Sequence, residues 1–385
     1  MSLKRLSVQN LRNLSYVDLE LAEHLNIIYG ANGSGKTSLL EAISVLSLGR
    51  SFRSRKIKSL IKSEQEQLTV FGRLVVDGEQ SVEMPVGVSR DRQGGGQIKV
   101  DGCTVSSASQ LTEHLPLQIM NGHSFQLLEG APQVRRQFMD WLVFHVEPGF
   151  LSLWKDVQKL LKQRNSVLRR DKIDPLLLAP WDKELAVKAT QLDQMRQQVF
   201  DRFLARFKAL VEDFIAIDGL MLSYYRGWDR EQSYSECLEA GLNRDIDLGY
   251  TRVGPHRADI RIGILKQPAA EVLSRGQQKL LVSALRIAQG AVFQEITGRR
   301  CVYLIDDLPA ELDSHYREVL AGWLDRLQSQ VFVTGVERDV LISAWPVQSK
   351  ERTQSVFHVE HGMVTTCETA PVDTVNKPTE YEVGQ

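Results

Sequence analysis

Gly30-Ala31-Asn32-Gly33-Ser34-Gly35-Lys36-Thr37 satisfies the pattern G-x-x-x-x-G-K-[ST] at every fixed position. Glycines at this spacing let successive backbone N–H groups converge on a polyphosphate, and the helix that follows points its positive end at the same place. Lys36 can bridge β- and γ-phosphate oxygens, while the Thr37 hydroxyl can ligate Mg²⁺. Gly30 to Ser38 therefore form the candidate ATP-binding segment. The bland alternative is a glycine turn with a chance Lys-Thr. The apolar run Leu25 to Tyr29 before it and the helical spacing of Ser38 to Leu46 after it argue against that.

A second group of residues fits the same chemistry. Leu304-Ile305-Asp306-Asp307 ends an apolar strand with two carboxylates. In a parallel sheet the C-terminal strand ends face the ligand crevice, where a phosphate loop also lies. There Asp306 would hold Mg²⁺ and Asp307 would polarise an attacking water, which makes Asp307 and Lys36 the catalytic candidates. Alone, the pair reads equally as two solvated acids in a turn. Leu273-Ser274-Arg275-Gly276-Gln277 opens a long helical run, with Ser274 where an N-cap belongs. A plain helix start explains that much.

The elements around these residues follow from periodicity. Val8 to Leu21, Leu68 to Val76, Ser81 to Val88 and Gln97 to Val100 read as strands of a meander. After about residue 145 the character becomes helical. Leu153, Val157, Leu160, Leu161, Val167 and Leu168 share one face, and Leu192 to Phe214 carries a second amphipathic run. Asp174-Pro175 and Pro180 mark a turn between them, which predicts an antiparallel helical arm. From about Gly249 the α/β pattern returns: Ala258 to Ile264, Cys301 to Ile305 and Val331 to Thr334 as strands, Gln277 to Ile296 and Ser314 to Gln328 as helices. The last 20 residues read as a solvated tail.

Composition narrows the function classes. The 385 residues are 43% hydrophobic and 25% charged, an ordinary globular balance without a membrane-length apolar run. Cys103, Cys237, Cys301 and Cys367 lie far apart and offer neither a zinc ribbon nor a disulfide framework, in keeping with a cytoplasmic protein. Lys plus Arg number 47 against 48 Asp plus Glu, so any DNA contact must use local patches. Arg50, Arg53, Arg55, Lys56 and Lys58 form one such patch with no acid among them, although a nucleotide or internal role competes with DNA. The cations Lys155, Lys159, Lys162, Arg164, Arg169 and Arg170 in the arm form another, with solvated helix faces as the alternative. His256, after Gly254-Pro255, reads as a turn-fixing residue before a catalytic one.

Ser274-Arg275-Gly276-Gln277 resembles the signature motif of ABC-type ATPases, and Glu311-Leu312-Asp313 resembles their D-loop. Further blocks resemble the RecF family of bacterial recombination mediators, over almost the whole chain to about residue 363. They are Leu11-Arg12-Asn13, Gly49-Arg50-Ser51-Phe52-Arg53, Arg135 to Asp140 and Gly254-Pro255-His256-Arg257-Ala258-Asp259. The resemblance implies an α/β ABC-type P-loop ATPase head with an inserted, mainly helical second lobe. Residues 1–145 and 246–365 would form the head, 146–245 the lobe, and 366–385 a tail. It also implies ATP and Mg²⁺ as cofactors, with the signature of one copy closing in trans over ATP held by the phosphate loop of another. Such a homodimer would clamp duplex DNA beside single-stranded gaps and, with RecO and RecR, help load RecA and bear on SOS induction.

Three departures qualify that pattern. Where the family carries a Pro-Glu pair near the γ-phosphate sensor, this sequence has Met120-Asn121-Gly122-His123-Ser124-Phe125, leaving Asn121 and Gln126 as candidates. Val333-Thr334-Gly335-Val336 holds no switch histidine, and Asp307 is one methylene shorter than the transporter glutamate. Slow hydrolysis, suited to a switch, is the expectation. The rival readings are the nucleotide-binding subunit of an ABC transporter and a P-loop kinase of small molecules.

Overall fold

A computed structural model describes residues 2–54, 56–76, 82–170, 175–345 and 353–367. Its first sheet begins with the hairpin β1 (Ser2–Leu11) and β2 (Leu14–Glu20), and β3 (Leu25–Tyr29) then enters a different sheet. Helix α1 (Lys36–Leu48) follows. The meander β4 (Gln67–Val76), β5 (Val82–Asp91), β6 (Ile98–Val100) and β7 (Cys103–Val105) completes the first sheet, in the order β2-β1-β4-β5-β6-β7. After α2 (Ala108–His114) come β8 (Leu117–Met120), α3 (Gln126–Glu129) and α4 (Pro132–Val146). The helical segment holds α5 (Phe150–Leu168) and α6 (Pro175–Phe214). It is followed by β9 (Leu220–Tyr225), α7 (Tyr234–Ala240) and α8 (Leu242–Leu248). Next come β10 (Asp259–Ile264), β11 (Gln267–Pro268) and α9 (Ala269–Val272). Then α10 (Arg275–Thr297), β12 (Val302–Ile305), α11 (Leu308–Glu311) and α12 (Ser314–Arg326) return the chain to the central sheet. β13 (Gln330–Gly335), α13 (Arg338–Ser343), β14 (Gln354–Glu360) and β15 (Met363–Cys367) finish it.

The central sheet runs β15-β14-β3-β13-β12-β8, parallel except for the edge pairing of β14 with β15. Its strands are apolar throughout because both faces are covered. Val302 and Leu304 of β12 pack with Leu39, Leu40 and Ile43 of α1 against the first sheet. Tyr303 and Ile305 point the other way, into a core shared with α10, α4 and α6. The period-2 alternation of one strand thus joins the two layers.

Register decides where function can lie. Ile305 pairs with Met120 and Val333, and Val333 pairs with Ile27. Asp306, Asn121 and Gly30, which follow the ends of β12, β8 and β3, and Thr334, the next-to-last residue of β13, therefore emerge on one edge of the sheet.

Several elements differ from the sequence reading. Arg12 adopts φ 54° and breaks Val8 to Leu21 into a hairpin. β8 has four residues, too few for a period to stand out, and the sequence reading does not place β14 and β15 either. Pro180 is not in a turn but inside α6. It removes one donor near the helix start, and packing along the remaining turns outweighs that loss. Residues 171–174, including Asp174, lie outside the described residues, and Pro175 is the first residue of α6. At 40 residues α6 is far longer than the predicted run, about 60 Å at 1.5 Å per residue. β15 runs through Thr366 and Cys367, two residues into the stretch read as tail. Residues 368–385 lie outside the described residues.

Helices α5 and α6 are antiparallel, as the pairs Asp156–Lys188 and Arg164–Asp182 require. Arg164 is fully buried and donates to Asp182 (2.6 Å), Asp245 (2.7 Å) and Thr251 (2.9 Å). Farther along, Arg196 makes a two-pronged contact with Asp140, both bonds 2.8 Å, and donates to the Pro255 carbonyl. The helical segment is thereby tied down onto α4 and the following turn.

Candidate nucleotide site

The phosphate loop spans the end of β3 and the start of α1. Two of its glycines are obligatory on steric grounds. A Cβ on Gly30 (φ 152°) would meet the Val359 carbonyl at 2.2 Å, and one on Gly35 (φ 124°) the Asn13 amide at 2.9 Å. Ala31, Asn32 and Gly33 are exposed at the tip, whereas Ser34, Gly35, Lys36 and Ser38 are buried. Lys36 folds back on its own loop, donating to the carbonyls of Gly30 (2.8 Å) and Ala31 (3.0 Å). Burial lowers the pKa of its ammonium, against the pull of Asp307 and Asp306. An oxyanion in the loop would relieve that desolvation.

Thr37 and Asp306 meet across the sheet. The Thr37 hydroxyl donates to Asp306 Oδ1 at 3.0 Å, with Oδ2 at 3.1 Å. Thr334 donates to Asp306 Oδ1 at 2.9 Å and accepts the Asp307 N–H at 2.7 Å. Burial raises the Asp306 pKa, opposed by hydrogen bonds from Thr334 and Thr37 and by the charge of Arg53. Asp307 sits in the left-handed region at φ 55°, ψ 52°, which turns the chain sharply into α11. A non-glycine residue held there marks a position that its surroundings over-determine. The hard-oxygen pair of Thr37 and Asp306 fits Mg²⁺, which takes few protein ligands and completes its shell with water and phosphate oxygens.

A bracket of residues supports the loop. Asn13 donates to the Ser34 carbonyl and accepts from the Ser38 hydroxyl, both at 2.9 Å. Gly362 N–H donates to that same Ser34 carbonyl at 2.8 Å. Arg12 forks onto buried Glu41 at 3.0 and 2.9 Å, and Ser51 also donates to Glu41. Sequence reasoning did not assign roles to Thr334, Asn13 or Glu41. The absence of a switch histidine at Val333–Val336 was the one signal that another side chain must occupy that strand end.

Other expected residues fall as follows. Ser274 and Gln277 form a reciprocal capping box on α10, with bonds of 3.3 and 3.0 Å, and Ser274 to Gln277 are all exposed. No described hydrogen bond or ion pair links them to the phosphate loop. Arg275 pairs with Glu129 and lies over the Phe125 ring, so the helix start is fixed to the segment after β8. Lys279 binds the Ala310 carbonyl at 2.9 Å and Glu311 at 3.2 Å, joining α10 to the D-loop region. Asp313 caps α12 by accepting the Tyr316 N–H. Asn121 closes a tight turn by accepting the His123 N–H, and Gln126 is exposed.

The basic patch is divided. Arg53 reaches Glu41 at 3.9 Å and acts on Asp306, so it belongs beside the nucleotide site. Arg50, Lys56 and Lys58 are exposed, and Arg55 lies outside the described residues. In the arm Arg164 is not a surface cation at all. His256 is a turn residue, its Nε2 3.0 Å from the Thr251 carbonyl and its pKa lowered to about 4 by burial. The blocks Arg135–Asp140 and Gly254–Asp259 meet: Arg135 forks onto Asp259 at 2.8 and 3.0 Å and Arg136 donates to the Ala258 carbonyl.

Comparison with known proteins agrees with this architecture. The RecF/RecN/SMC N-terminal domain family matches residues 2–365. The DNA replication and repair protein RecF of Cellvibrio japonicus is 53% identical over 95% of this chain and 99% of its own. The protein of the same name from Pseudomonas syringae pv. tomato is 48% identical over 95% and 98%. A solved structure of the recombination mediator protein RecF with ATP, from the RecFOR pathway, superposes with a TM-score of 0.81 at 26% identity, covering 95% of this chain and 98% of that one. An SMC head bound to the winged-helix domain of ScpA shares the fold, with a TM-score of 0.58 at 16% identity over 95% and 97% of the two chains. These relatives favour a DNA-repair protein over the transporter subunit and the small-molecule kinase.

Proposed function

Because the chain belongs to the RecF family, we propose that it is an ATP-dependent DNA-binding protein of replication and repair whose two copies close around nucleotide. The observation that carries this reading is the docking of Thr37 on Asp306 beneath the phosphate loop, with the signature Ser274–Gln277 exposed and without a contact to that loop. A site with its phosphate half built and its signature turned outward is completed by a second copy. Helix α10 would then present its N-terminus, with Ser274 and the free backbone donors, to the γ-phosphate held by the partner.

Within one copy, Lys36 and the loop N–H groups hold the polyphosphate of ATP. Thr37 and Asp306 hold Mg²⁺, which when bound neutralises charge on the β- and γ-phosphate oxygens. Asp307, its backbone pinned by Thr334, orients the attacking water. Its short side chain suits slow hydrolysis that reopens the pair. Asp313, which caps α12 just after α11, would serve as the D-loop acid.

The DNA bound is duplex beside a single-stranded gap, and RecO, RecR and RecA are the partners in the cytoplasm. No described helix is long and apolar enough to cross a membrane. The test is the affinity for a labelled gapped duplex by anisotropy, with ATP, with ADP and without nucleotide, at one salt concentration. Binding that tightens with ATP alone is the expected result. Equal, weak binding in all three states would overturn the reading.

A further inference from the structure

A cavity of about 420 Å³ lies beside the β8 edge of the central sheet, lined by Arg50, Arg53, Arg286, Asn121, Gln126 and Gln137 among others. None of its lining residues is an Asp or Glu. Its floor holds an unusual cation. Arg286, on α10, donates to Gln118 at 3.1 Å and lies over the Phe138 ring, yet makes no ion pair among the described residues. Its Nε is buried without a hydrogen-bond partner. Burial lowers its pKa to about 10, and no carboxylate offsets that shift. Elsewhere this protein neutralises buried arginines: Arg164 and Arg196 each face aspartates. A partly buried cation without a protein counterion, facing a cavity whose lining holds no acid, points to an anion from outside.

We propose that this cavity seats a backbone phosphate of bound DNA, held by Arg286 at its floor and exposed Arg50 at its mouth. The inference rests on the DNA-binding reading above and names the place where one strand is gripped. The phosphate loop lies at the far end of α1, about 18 Å from Leu48 at 1.5 Å per residue, while Arg53 in the cavity wall acts on Asp306, so the cavity adjoins the ATP site without including its loop. Asn121 in the wall belongs to the turn after β8 and Gln126 opens α3 beyond it, and the β8 end also carries Asp306 through the Asp306 N–H to Met120 carbonyl bond. The phosphate and the nucleotide would thus share one loop.

The test compares Arg286→Gln with the unaltered chain on a labelled gapped duplex at saturating ATP, across a salt series. A fluorescent ATP analogue is titrated separately without DNA, and thermal melts establish that the variant folds. A lost phosphate contact predicts about tenfold weaker DNA binding, a salt dependence lower by about one counterion, and unchanged nucleotide affinity. Arg50→Gln should reproduce this and provides the answer if Arg286→Gln does not fold. Unchanged DNA affinity and salt slope would overturn the proposal, as would a parallel loss of nucleotide affinity, which would make the anion the nucleotide's own. Failure of the unaltered chain to bind DNA in any nucleotide state would sink the functional reading, and the cavity proposal with it.

Discussion

At the scale of single residues, the site turns on a threonine. Thr334 spends its hydroxyl proton on Asp306 and its lone pair on the Asp307 N–H, so one side chain positions both the carboxylate proposed to hold Mg²⁺ and the backbone of the residue proposed to orient water. Thr334→Val keeps the shape and removes both bonds. It should leave ATP affinity nearly unchanged, slow hydrolysis about ten- to a hundredfold, and destabilise the fold by about 1–3 kcal/mol through the unsatisfied N–H. Single-turnover hydrolysis and a denaturant melt check the two halves, and a full hydrolysis rate would remove Thr334 from the site. The phosphate loop and the carboxylate pair were legible in sequence because their residue types and spacing leave few other uses. Thr334 was not, since a threonine in a buried strand is common and its role appears only when three strands align. Arg164 was misplaced for the converse reason, and Arg53 was left between DNA and an internal role: a charge in a sequence does not reveal which acid it meets.

At the scale of elements, buried ion pairs fix the helical segment. Arg164 neutralises Asp182 and Asp245 between α5, α6 and α8. Removing it leaves the buried Asp245 with only Arg252 as counterion and Asp182 without its cation. Arg164→Ala should cost about 3–5 kcal/mol in a urea melt, and a cost within about 1 kcal/mol would show that the cluster is relaxed by water. The turn at His256 gives a second prediction. Its folded pKa of about 4 lies below the ordinary histidine value of about 6.5. The unfolded chain therefore takes up a proton that the folded chain refuses. Stability from this group is complete above pH ~6.5 and is lost progressively as the pH falls toward 4. His256→Gln should flatten the melting temperature in that window, and an unchanged pH profile would contradict it. Helix α10 and the long strands were readable from period alone. Pro180 was read as a break because proline usually is one, and only the packing of α6 reverses that. A strand as short as β8 shows no period, whereas β12 was read from its unbroken apolar run.

At the scale of the whole molecule, the parallel sheet places Gly30, Asp306, Thr334 and Asn121 on one edge, while the signature faces outward. Sequence resemblance anticipated the split head and the inserted helices. It did not show that those helices lie down on the head through Arg196, Asp140 and Pro255. Nor did it show that the blocks around Arg135 and Asp259 form the weld between the two parts. Closure of two such heads is the central claim, and the mass of the protein in solution tests it most directly. Sedimentation with saturating ATP should give twice the 43.5 kDa chain mass, and with ADP or no nucleotide the single mass. Ser274→Arg, which leaves the phosphate loop untouched, should stay at the single mass with ATP. A monomer at saturating ATP, or a dimer indifferent to both nucleotide and Ser274→Arg, would contradict the account.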